Sequence, residues 1–195
     1  MKKEIITIAG KLGSGKSTVA KRIAEALGFT RASTGDFMRA MASEKGITLG
    51  EFSALAESDE SVDKELDDHN RDVANREKTV LDSRLGFFFI PESFKVFLDL
   101  DPNIAAERIL KDAENNPNRH KESVENYDSV KNIVNSTEIR LESERKRYFE
   151  LYGIKDHTAY ENFDFVIDTG SAEFNNNIER VVEKVIEKYK EWLKS

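Results

Sequence analysis

The sequence predicts an α/β protein in which helices cover both faces of a parallel sheet. Apolar runs with the length of buried strands alternate along the chain with segments whose apolar residues recur at helical spacing. The first run, residues 5–9, leads directly into a glycine-rich loop, residues 10–17, and then into an amphipathic helix that Gly28 is expected to end. Because a parallel sheet is buried on both faces, its strands are expected to be mostly apolar, as residues 5–9 are except for Thr7.

The glycine-rich loop fits the spacing GxxxxGKS, which is typical of a phosphate-binding loop. Its glycines permit positive φ angles, so that successive backbone N–H groups face a polyphosphate, and the following helix adds its positive end. Lys16 is expected to reach the β- and γ-phosphates, and Ser17 is expected to ligate Mg²⁺. The residues predicted to bind the nucleotide polyphosphate are Gly10, Lys11, Leu12, Gly13, Ser14, Gly15, Lys16, Ser17 and Thr18.

Between the second and third strands, residues 29–33 and 79–81, the pattern predicts three helices that form an insertion at the strand ends, about residues 35–77. The first of these helices is expected to end at Gly46. Thr48 and Glu51 have the spacing of a capping box, which indicates the start of the second. The third is a highly charged segment at about residues 61–75.

The second half of the chain predicts two further strands, residues 94–100 and 163–168, and three helices. Asp101 and Pro102 are a suitable cap and first-turn pair for a helix at 104–110. A long helix at 129–152 is ended by Gly153, with residues 130, 133, 134, 141, 148 and 151 buried. The tail from residue 175 is amphipathic. Residues 112–128 have little periodicity and are predicted to form a mobile lid.

This pattern does not assign a role to two further groups of residues. The apolar run at residues 87–90 either lines a pocket for a nucleobase or belongs to the hydrophobic core, and we favour the core. The histidines, His69, His120 and His157, are predicted at the surface because they lie in charged or irregular segments. They have neither metal-ligand spacing nor a catalytic triad around them.

Composition narrows the function. The chain has 195 residues, of which 34% are charged and 38% hydrophobic, as expected for one domain and no membrane span. A net charge of -7 argues against sequence-independent nucleic-acid binding, which needs clustered Lys and Arg. The lack of cysteine is compatible with a reducing cytosol. We therefore expect a cytoplasmic protein that binds small molecules, with no nucleic-acid, membrane or obligatory protein partner.

Basic side chains follow the predicted strands at the edge where parallel sheets bind ligands. Arg39, in the helix after the second strand, and Arg84, after the third, are predicted to clamp an acceptor phosphate, although a surface ion pair is the alternative for each. Arg140 and Arg147 share one face of the long helix with Glu144 between them. That spacing fits cations aligned along a polyphosphate and fits an ordinary salt-bridged helix face equally well.

Two carboxylates are candidates for the same site. Asp82, at the tip of the third strand, is placed to orient Mg²⁺ or its water, and a solvated strand-end carboxylate is the alternative. Asp36 is interpreted either as a ligand for the acceptor or a metal-bound water, or as a helix cap.

Several segments outside the phosphate loop share residues with one kinase family. They are Ser33-Thr34-Gly35-Asp36-Phe37-Met38-Arg39, Val80-Leu81-Asp82-Ser83-Arg84-Leu85, Lys95-Val96-Phe97-Leu98-Asp99, and the helix from Arg140 to Gly153. Together with the loop they resemble the cytidylate kinases, in particular the archaeal-type branch, over nearly the whole chain. Ser83 departs from this pattern, because it stands where we expect glycine. Residues 115–128 also look longer than in that branch.

The resemblance implies a single P-loop kinase domain, residues 1–195, with a monophosphate-binding insertion at about 35–77 and a lid at about 112–147. It implies transfer of the γ-phosphate of ATP to CMP or dCMP, with Mg²⁺. By the resemblance, Lys16 and Ser17 belong to the ATP–Mg²⁺ site, and Arg140 and Arg147 to the lid. The residues expected at the monophosphate site are Ser33, Asp36, Arg39, Asp82 and Arg84.

Two alternatives remain at this stage. One is a P-loop kinase for another small acceptor, such as UMP, AMP or a hydroxyl compound, and a hydroxyl acceptor would need a base, for which Asp36 is the candidate. The other is a nucleotide-dependent switch. The sequence has neither the Asp-x-x-Gly nor the Asn-Lys-x-Asp motif expected of a switch protein that binds guanine nucleotides.

Overall fold

A five-stranded sheet, parallel throughout, forms the centre of the computed structural model, which describes residues 2–56, 60–115 and 129–195. The strand order is β2-β3-β1-β4-β5, so the strand that leads into the phosphate loop lies in the middle. The predicted fold class is therefore confirmed. The strands are β1 (Ile5–Gly10), β2 (Thr30–Ser33), β3 (Thr79–Asp82), β4 (Phe94–Asp99) and β5 (Phe165–Asp168).

Eight helices are found among the described residues, and three of them separate β2 from β3, as the sequence predicts. In addition, residues Tyr160–Asn162 form a short 3₁₀ turn. None of the described helices has both the length and the apolar character that crossing a membrane requires. The helices are α1 (Lys16–Leu27), α2 (Thr34–Glu44), α3 (Leu49–Ala56), α4 (Glu60–Ala74), α5 (Gly86–Phe89), α6 (Pro102–Asn115), α7 (Val130–Tyr152) and α8 (Ile178–Lys194).

The chain divides into two compact units. The first comprises Met1–Gly35, Leu66–Leu100 and Thr158–Ser195 and contains the whole sheet. The second comprises Asp36–Glu65 and Asp101–His157 and contains most of α2 and all of α3, α6 and α7. The functional division into a core, a monophosphate-binding insertion and a lid stays a prediction.

Apolar side chains cover both faces of the sheet in the first unit. On one face, Ile6 and Ile8 of β1 belong to a buried cluster with residues of α1 and α8, such as Val19 and Val185. On the other face, Ile5 packs in a cluster that includes residues of β3 and α4. Because successive side chains of a strand point to opposite faces, the unbroken run Ile5–Ala9 supplies both clusters.

Local capping residues set several helix ends where the sequence predicts them. Gly28 and Gly153 adopt left-handed conformations with φ of 65° and 71° and end α1 and α7. The capping box at α3 forms, since the backbone N–H of Thr48 donates to Glu51 at 2.7 Å and that of Glu51 donates to Thr48 Oγ1 at 3.2 Å. Asp101 accepts hydrogen bonds from two N–H groups of the first turn of α6.

Three sequence-based predictions need correction. Residues 112–115 continue α6 rather than beginning an irregular segment, and 116–128 lie outside the described residues. In the run 87–90, Ile90 is buried in the core, whereas Phe88 is 41% exposed at the end of the short α5. Of the predicted buried stripe of α7, Ile133 and Tyr148 are buried, residues 130, 134 and 141 are half-buried, and Leu151 is exposed. In the last two cases burial depends on which distant residues pack nearby, and periodicity does not reveal those residues.

Candidate active site

The backbone of the phosphate loop follows the middle strand of the sheet. Gly10, Gly13 and Gly15 have φ values of 154°, 76° and 85°, so all three positive φ angles that the motif predicts are present. Gly15 is the N-cap of α1, which places the positive end of that helix at the loop. At Gly10 the neighbouring strand approaches closely, since a Cβ there would lie 2.4 Å from the carbonyl oxygen of Leu98. The loop therefore depends on glycine at position 10 for space as well as for conformation.

Alanine at position 10 is expected to destabilise the protein far more than alanine at Gly28. Gly28 also has a positive φ, 65°, but a Cβ there meets nothing within 4 Å. Gly28→Ala should therefore cost about 1 kcal/mol for the left-handed conformation alone. Gly10→Ala adds a clash with backbone and should cost about 3 kcal/mol or more. Urea denaturation followed by circular dichroism measures both losses, and equal losses would contradict the close approach of β4.

Hydrogen bonds within the loop meet at one carbonyl oxygen. The Lys11 carbonyl accepts from Lys16 Nζ at 2.8 Å, from Ser14 Oγ at 2.7 Å and from the Ser14 N–H at 3.3 Å. Lys16 is thus held at the loop by a neutral acceptor. A phosphate oxygen forms a stronger, charge-assisted bond with an ammonium group, so the side chain is suited to transfer from the carbonyl to an anion.

A hydroxyl and a carboxylate lie side by side next to the loop. Ser17 Oγ donates to Asp82 Oδ2 at 2.7 Å, and Asp82 is buried at the end of β3, opposite Ile8 of β1. Oxygen atoms of this kind suit Mg²⁺, which usually keeps several waters and takes its other ligands from phosphates. No group of three or more His, Cys, Asp or Glu side chains in the described part of the chain is arranged to hold a metal by itself. The pair therefore fits a magnesium ion that arrives with a nucleotide.

The other residues predicted in the first unit lie at the same edge of the sheet. Ser33 ends β2 and is paired in register with Asp82, which ends β3. Ser33 is buried, and Arg84 is half-buried two residues after β3. Arg31 was not predicted from the sequence. Its Nη2 lies 3.9 Å from Asp82 Oδ2. The parallel register thus brings these side chains to the carboxyl ends of neighbouring strands, where open sheets bind ligands.

The remaining predicted residues belong to the second unit, where each basic side chain has a carboxylate nearby. Arg39 forms an ion pair with Asp36 within α2. On α7, Arg140 Nε donates to Glu144 at 3.0 Å, which is the salt-bridged face that the sequence left as an alternative. Asp36 and Arg39 are exposed, and Arg140 is half-buried. Their contribution to phosphate binding stays a prediction.

Arg147 has the most enclosed guanidinium of these residues. Its Nε lies 3.9 Å from Oδ1 of Asp63, a carboxylate on α4 with only 7% of its surface exposed. Burial acts to lower the pKa of Arg147, but Tyr148 and Asp63 together outweigh it and raise that pKa, so the side chain remains charged. The sequence does not predict this role for Asp63. The sequence feature that could have indicated Asp63 is its place beside Val62, on the side of α4 whose residues are buried.

The predicted surface position of the histidines is wrong for His157, which is 4% exposed. Its Nε2 lies 3.6 Å from Glu144 Oε2, and its ring packs edge-on against Tyr148 with centroids 4.9 Å apart. His69 is half-buried, and burial lowers its pKa. His120 lies outside the described residues.

A further polar group lies at the start of the phosphate loop, where the sequence predicts Lys11 but not its partners Asp99 and Tyr160. Lys11 Nζ lies 2.6 Å from Oδ1 of Asp99, and the hydroxyl of Tyr160 donates to Oδ2 of the same carboxylate. Burial acts to raise the pKa of Asp99, but hydrogen bonds from Lys11 and Tyr160 outweigh it and hold that pKa below its usual value. The hydrogen bond to Asp99 in turn raises the pKa of Tyr160 to about 12.

This shift predicts a pH dependence at the alkaline end. Unfolded tyrosine titrates near pH 10, so the stabilisation from the Tyr160 hydrogen bond is complete below about pH 10 and is lost as the pH rises toward about 12. Tyrosinate absorbance is titrated in the wild type and in Tyr160→Phe. The difference between the two curves should show one group that titrates near pH 12. Asp99→Asn should move that group toward pH 10. Titration of Tyr160 near pH 10 in the folded wild type would contradict the bond.

Comparison with known proteins agrees with this geometry. The AAA domain family model matches residues 6–129. Cytidylate kinase of Methanosphaera stadtmanae is 33% identical over 95% of this chain and 99% of its own length, and that of Natronomonas pharaonis is 36% identical over 95% and 90%. Among solved structures, shikimate kinase from Bacteroides thetaiotaomicron has a TM-score of 0.64 at 17% identity, covering 94% of this chain and 96% of that chain, which shows a shared fold alone. The chain belongs to the cytidylate kinase family.

Proposed function

We propose that the protein transfers the γ-phosphoryl group of ATP to the phosphate of CMP or dCMP, producing ADP and the corresponding diphosphate. The observation that carries the proposal is the likeness to relatives named cytidylate kinase, which extends over 95% of the chain. The geometry supports it, because the loop that follows β1 presents Lys16 and the Ser17–Asp82 pair at one edge of the sheet. The relatives' name supplies the acceptor, which the phosphate loop by itself does not specify.

The donor side of the reaction belongs to the phosphate loop. Its backbone N–H groups and the N-terminus of α1 bind the phosphates of ATP, and Lys16 neutralises the charge that develops during transfer. Ser17 and Asp82 are the residues that would hold Mg²⁺, which would supply positive charge to neutralise the phosphates of ATP. None of these groups forms a covalent bond to the substrate, so their work is orientation and electrostatic stabilisation.

We assign the acceptor side to residues at and after the ends of β2 and β3. We assign Ser33, Asp36, Arg39, Asp82 and Arg84 to binding of the monophosphate. A guanidinium holds two phosphate oxygens at once, which fixes the direction of attack. We assign Arg140 and Arg147 to the transferring phosphoryl group, where added positive charge lowers the barrier.

The reaction itself needs little from the protein beyond position and charge. An oxygen of the acceptor's phosphate attacks the γ-phosphorus of ATP in line, the bond to the β–γ bridging oxygen breaks, and ADP leaves with that electron pair. Because the attacking group is already a phosphate anion, no general base is required. Exclusion of water from the site prevents hydrolysis of ATP, which is the competing reaction.

We further propose that the protein works in the cytoplasm on these small substrates alone. The absence of cysteine supports a reducing compartment. The net charge of -7 supports the absence of a nucleic-acid partner.

The decisive test measures ADP release from ATP and Mg²⁺ with CMP, dCMP, UMP, AMP, GMP or shikimate, and without any acceptor. We expect the highest kcat/KM with CMP or dCMP, and a rate without acceptor at least 100-fold lower, about 3 kcal/mol in the barrier. Equal release without acceptor, or preference for shikimate, would reject a nucleoside monophosphate acceptor. Preference for UMP or AMP would keep the kinase and change its substrate.

A further inference from the structure

A buried side-chain amide connects the two strand ends proposed to bind the acceptor. Asn70, on α4, has only 3% of its surface exposed. Its Oδ1 accepts one hydrogen bond from Thr34 Oγ1 at 3.0 Å and another from Ser83 Oγ at 3.2 Å. All three residues belong to the first unit. One amide oxygen therefore holds hydroxyl groups from two separate segments of the chain.

The orientation of this amide is fixed from its other end. Asn70 Nδ2 donates to the carbonyl oxygen of Leu66, one turn earlier on the same helix, at 2.9 Å. Because a carbonyl oxygen only accepts, the nitrogen must face Leu66 and the oxygen must face the two hydroxyl groups. The amide thus transmits the position of α4 to both hydroxyls.

The two hydroxyl groups lie within the segments that carry the proposed acceptor residues. Thr34 follows Ser33, the last residue of β2, and begins α2. Ser83 lies between Asp82, the last residue of β3, and Arg84. Ser33 and Asp82 are paired in register at the ends of β2 and β3. Asn70 therefore joins the two chain segments at the points where they leave these neighbouring strands.

Ser83 adds a side-chain link at the position where the family resemblance predicts glycine. It is buried, and its backbone N–H donates to the carbonyl of Ile8 at 3.1 Å. Glycine, which the family resemblance leads us to expect here, would keep that backbone bond and lose the bond to Asn70. The hydroxyl of Ser83 therefore adds a side-chain link where the backbone is already anchored.

We propose that Asn70 is a positioning residue for the acceptor site, which it sets through Thr34 and Ser83 without touching the substrate. This inference rests on the proposed function. Without Asn70, two hydroxyl groups lose their shared acceptor, and the segments after β2 and β3 are no longer tied to each other. Small displacements of binding groups weaken phosphate recognition steeply, so the effect falls on the acceptor rather than on ATP.

The test compares steady-state kinetics of wild type, Asn70→Leu, Ser83→Gly and the double variant. Leucine keeps the branched shape of the asparagine side chain and removes its hydrogen bonds. We expect Asn70→Leu to raise the KM for CMP about tenfold, the effect of roughly one lost hydrogen bond, with the KM for ATP changed less than about twofold. Ser83→Gly should raise the KM for CMP about threefold, and the double variant should resemble Asn70→Leu alone.

A matched control makes the same chemical change on the surface. Asn75, exposed just after α4, is replaced by leucine, and its KM values should equal those of the wild type. Thermal melting of every variant separates loss of fold from loss of acceptor binding, because a purely structural amide would lower the melting temperature and leave both KM values unchanged.

The inference would be overturned, with the proposed function intact, by an unchanged KM for CMP in Asn70→Leu or by equal increases in the KM for CMP and for ATP. Independent, multiplying effects of Asn70→Leu and Ser83→Gly would likewise reject the shared amide. A wild type that neither binds nor phosphorylates CMP would reject the proposed function, and the positioning role would be rejected with it.

Discussion

Replacing Lys16 with alanine is expected to lower kcat by about 10²- to 10³-fold, which is the usual effect of removing one preorganised group that stabilises transition-state charge. The fold should survive, because alanine suits the first position of α1 and the lost bond to the Lys11 carbonyl is worth only about 1 kcal/mol. The measurement is kcat for ADP formation at saturating ATP and CMP, together with thermal melting.

Lys21→Ala is the matched control for this experiment. Lys21 lies on the same helix, is exposed, and has its Nζ 4.0 Å from Glu25, so its loss removes an equal charge away from the phosphate loop. We expect its kcat to stay within about twofold of the wild type, since surface ion pairs contribute little. If Lys16→Ala and Lys21→Ala lowered kcat equally, the loss would come from the overall charge of the protein. The assignment of Lys16 to transition-state stabilisation would then be wrong.

Replacing Arg147 is expected to reduce both activity and stability, and the structure explains why the two must be separated. Arg147→Ala leaves Asp63 buried without its guanidinium, which should cost about 3 kcal/mol of unfolding free energy. Loss of charge stabilisation at the transferring phosphoryl group should lower kcat by at least about 100-fold. A simple alanine variant does not distinguish these effects when the protein is partly unfolded.

The double variant Arg147→Met with Asp63→Asn removes both charges and keeps the volume. We expect most of the lost stability to return while kcat remains at least about 100-fold low, as measured by urea denaturation and saturating kinetics. Lys146→Ala, one residue away and exposed, serves as the charge control. A stable double variant with wild-type kcat would show that Arg147 is a structural residue of α7 and has no part in the reaction.

The phosphate loop was predictable because its conformation depends on residues adjacent in sequence. Gly13 and Gly15 adopt the positive φ angles that their lack of a side chain permits, and Gly28 and Gly153 end helices for the same reason. The capping box at Thr48 likewise needs only residues within one turn. Apolar runs and helical spacing then predict a parallel sheet without knowledge of any partner.

Burial of individual side chains was less predictable. His157 lies in an irregular segment whose sequence suggests the surface, yet Tyr148 and Glu144 of α7 enclose it. Phe88 lies in a run of four apolar residues and is nevertheless exposed, because the short α5 turns it away from the core. The spacing of apolar residues indicates which side of a helix or strand is apolar. It does not indicate which distant element packs against that side.

The sequence by itself determined the α/β class, the phosphate loop with Lys16 and Ser17, and the helix ends, because local conformational preference and hydrophobic spacing suffice for these. Only the tertiary structure decided that Ser17 meets Asp82, that Arg147 meets Asp63 and that Asn70 joins Thr34 to Ser83. These partners are separated by 36 or more residues in three of the four contacts, and by 13 in the fourth. Chain packing, which no local pattern encodes, brings them together.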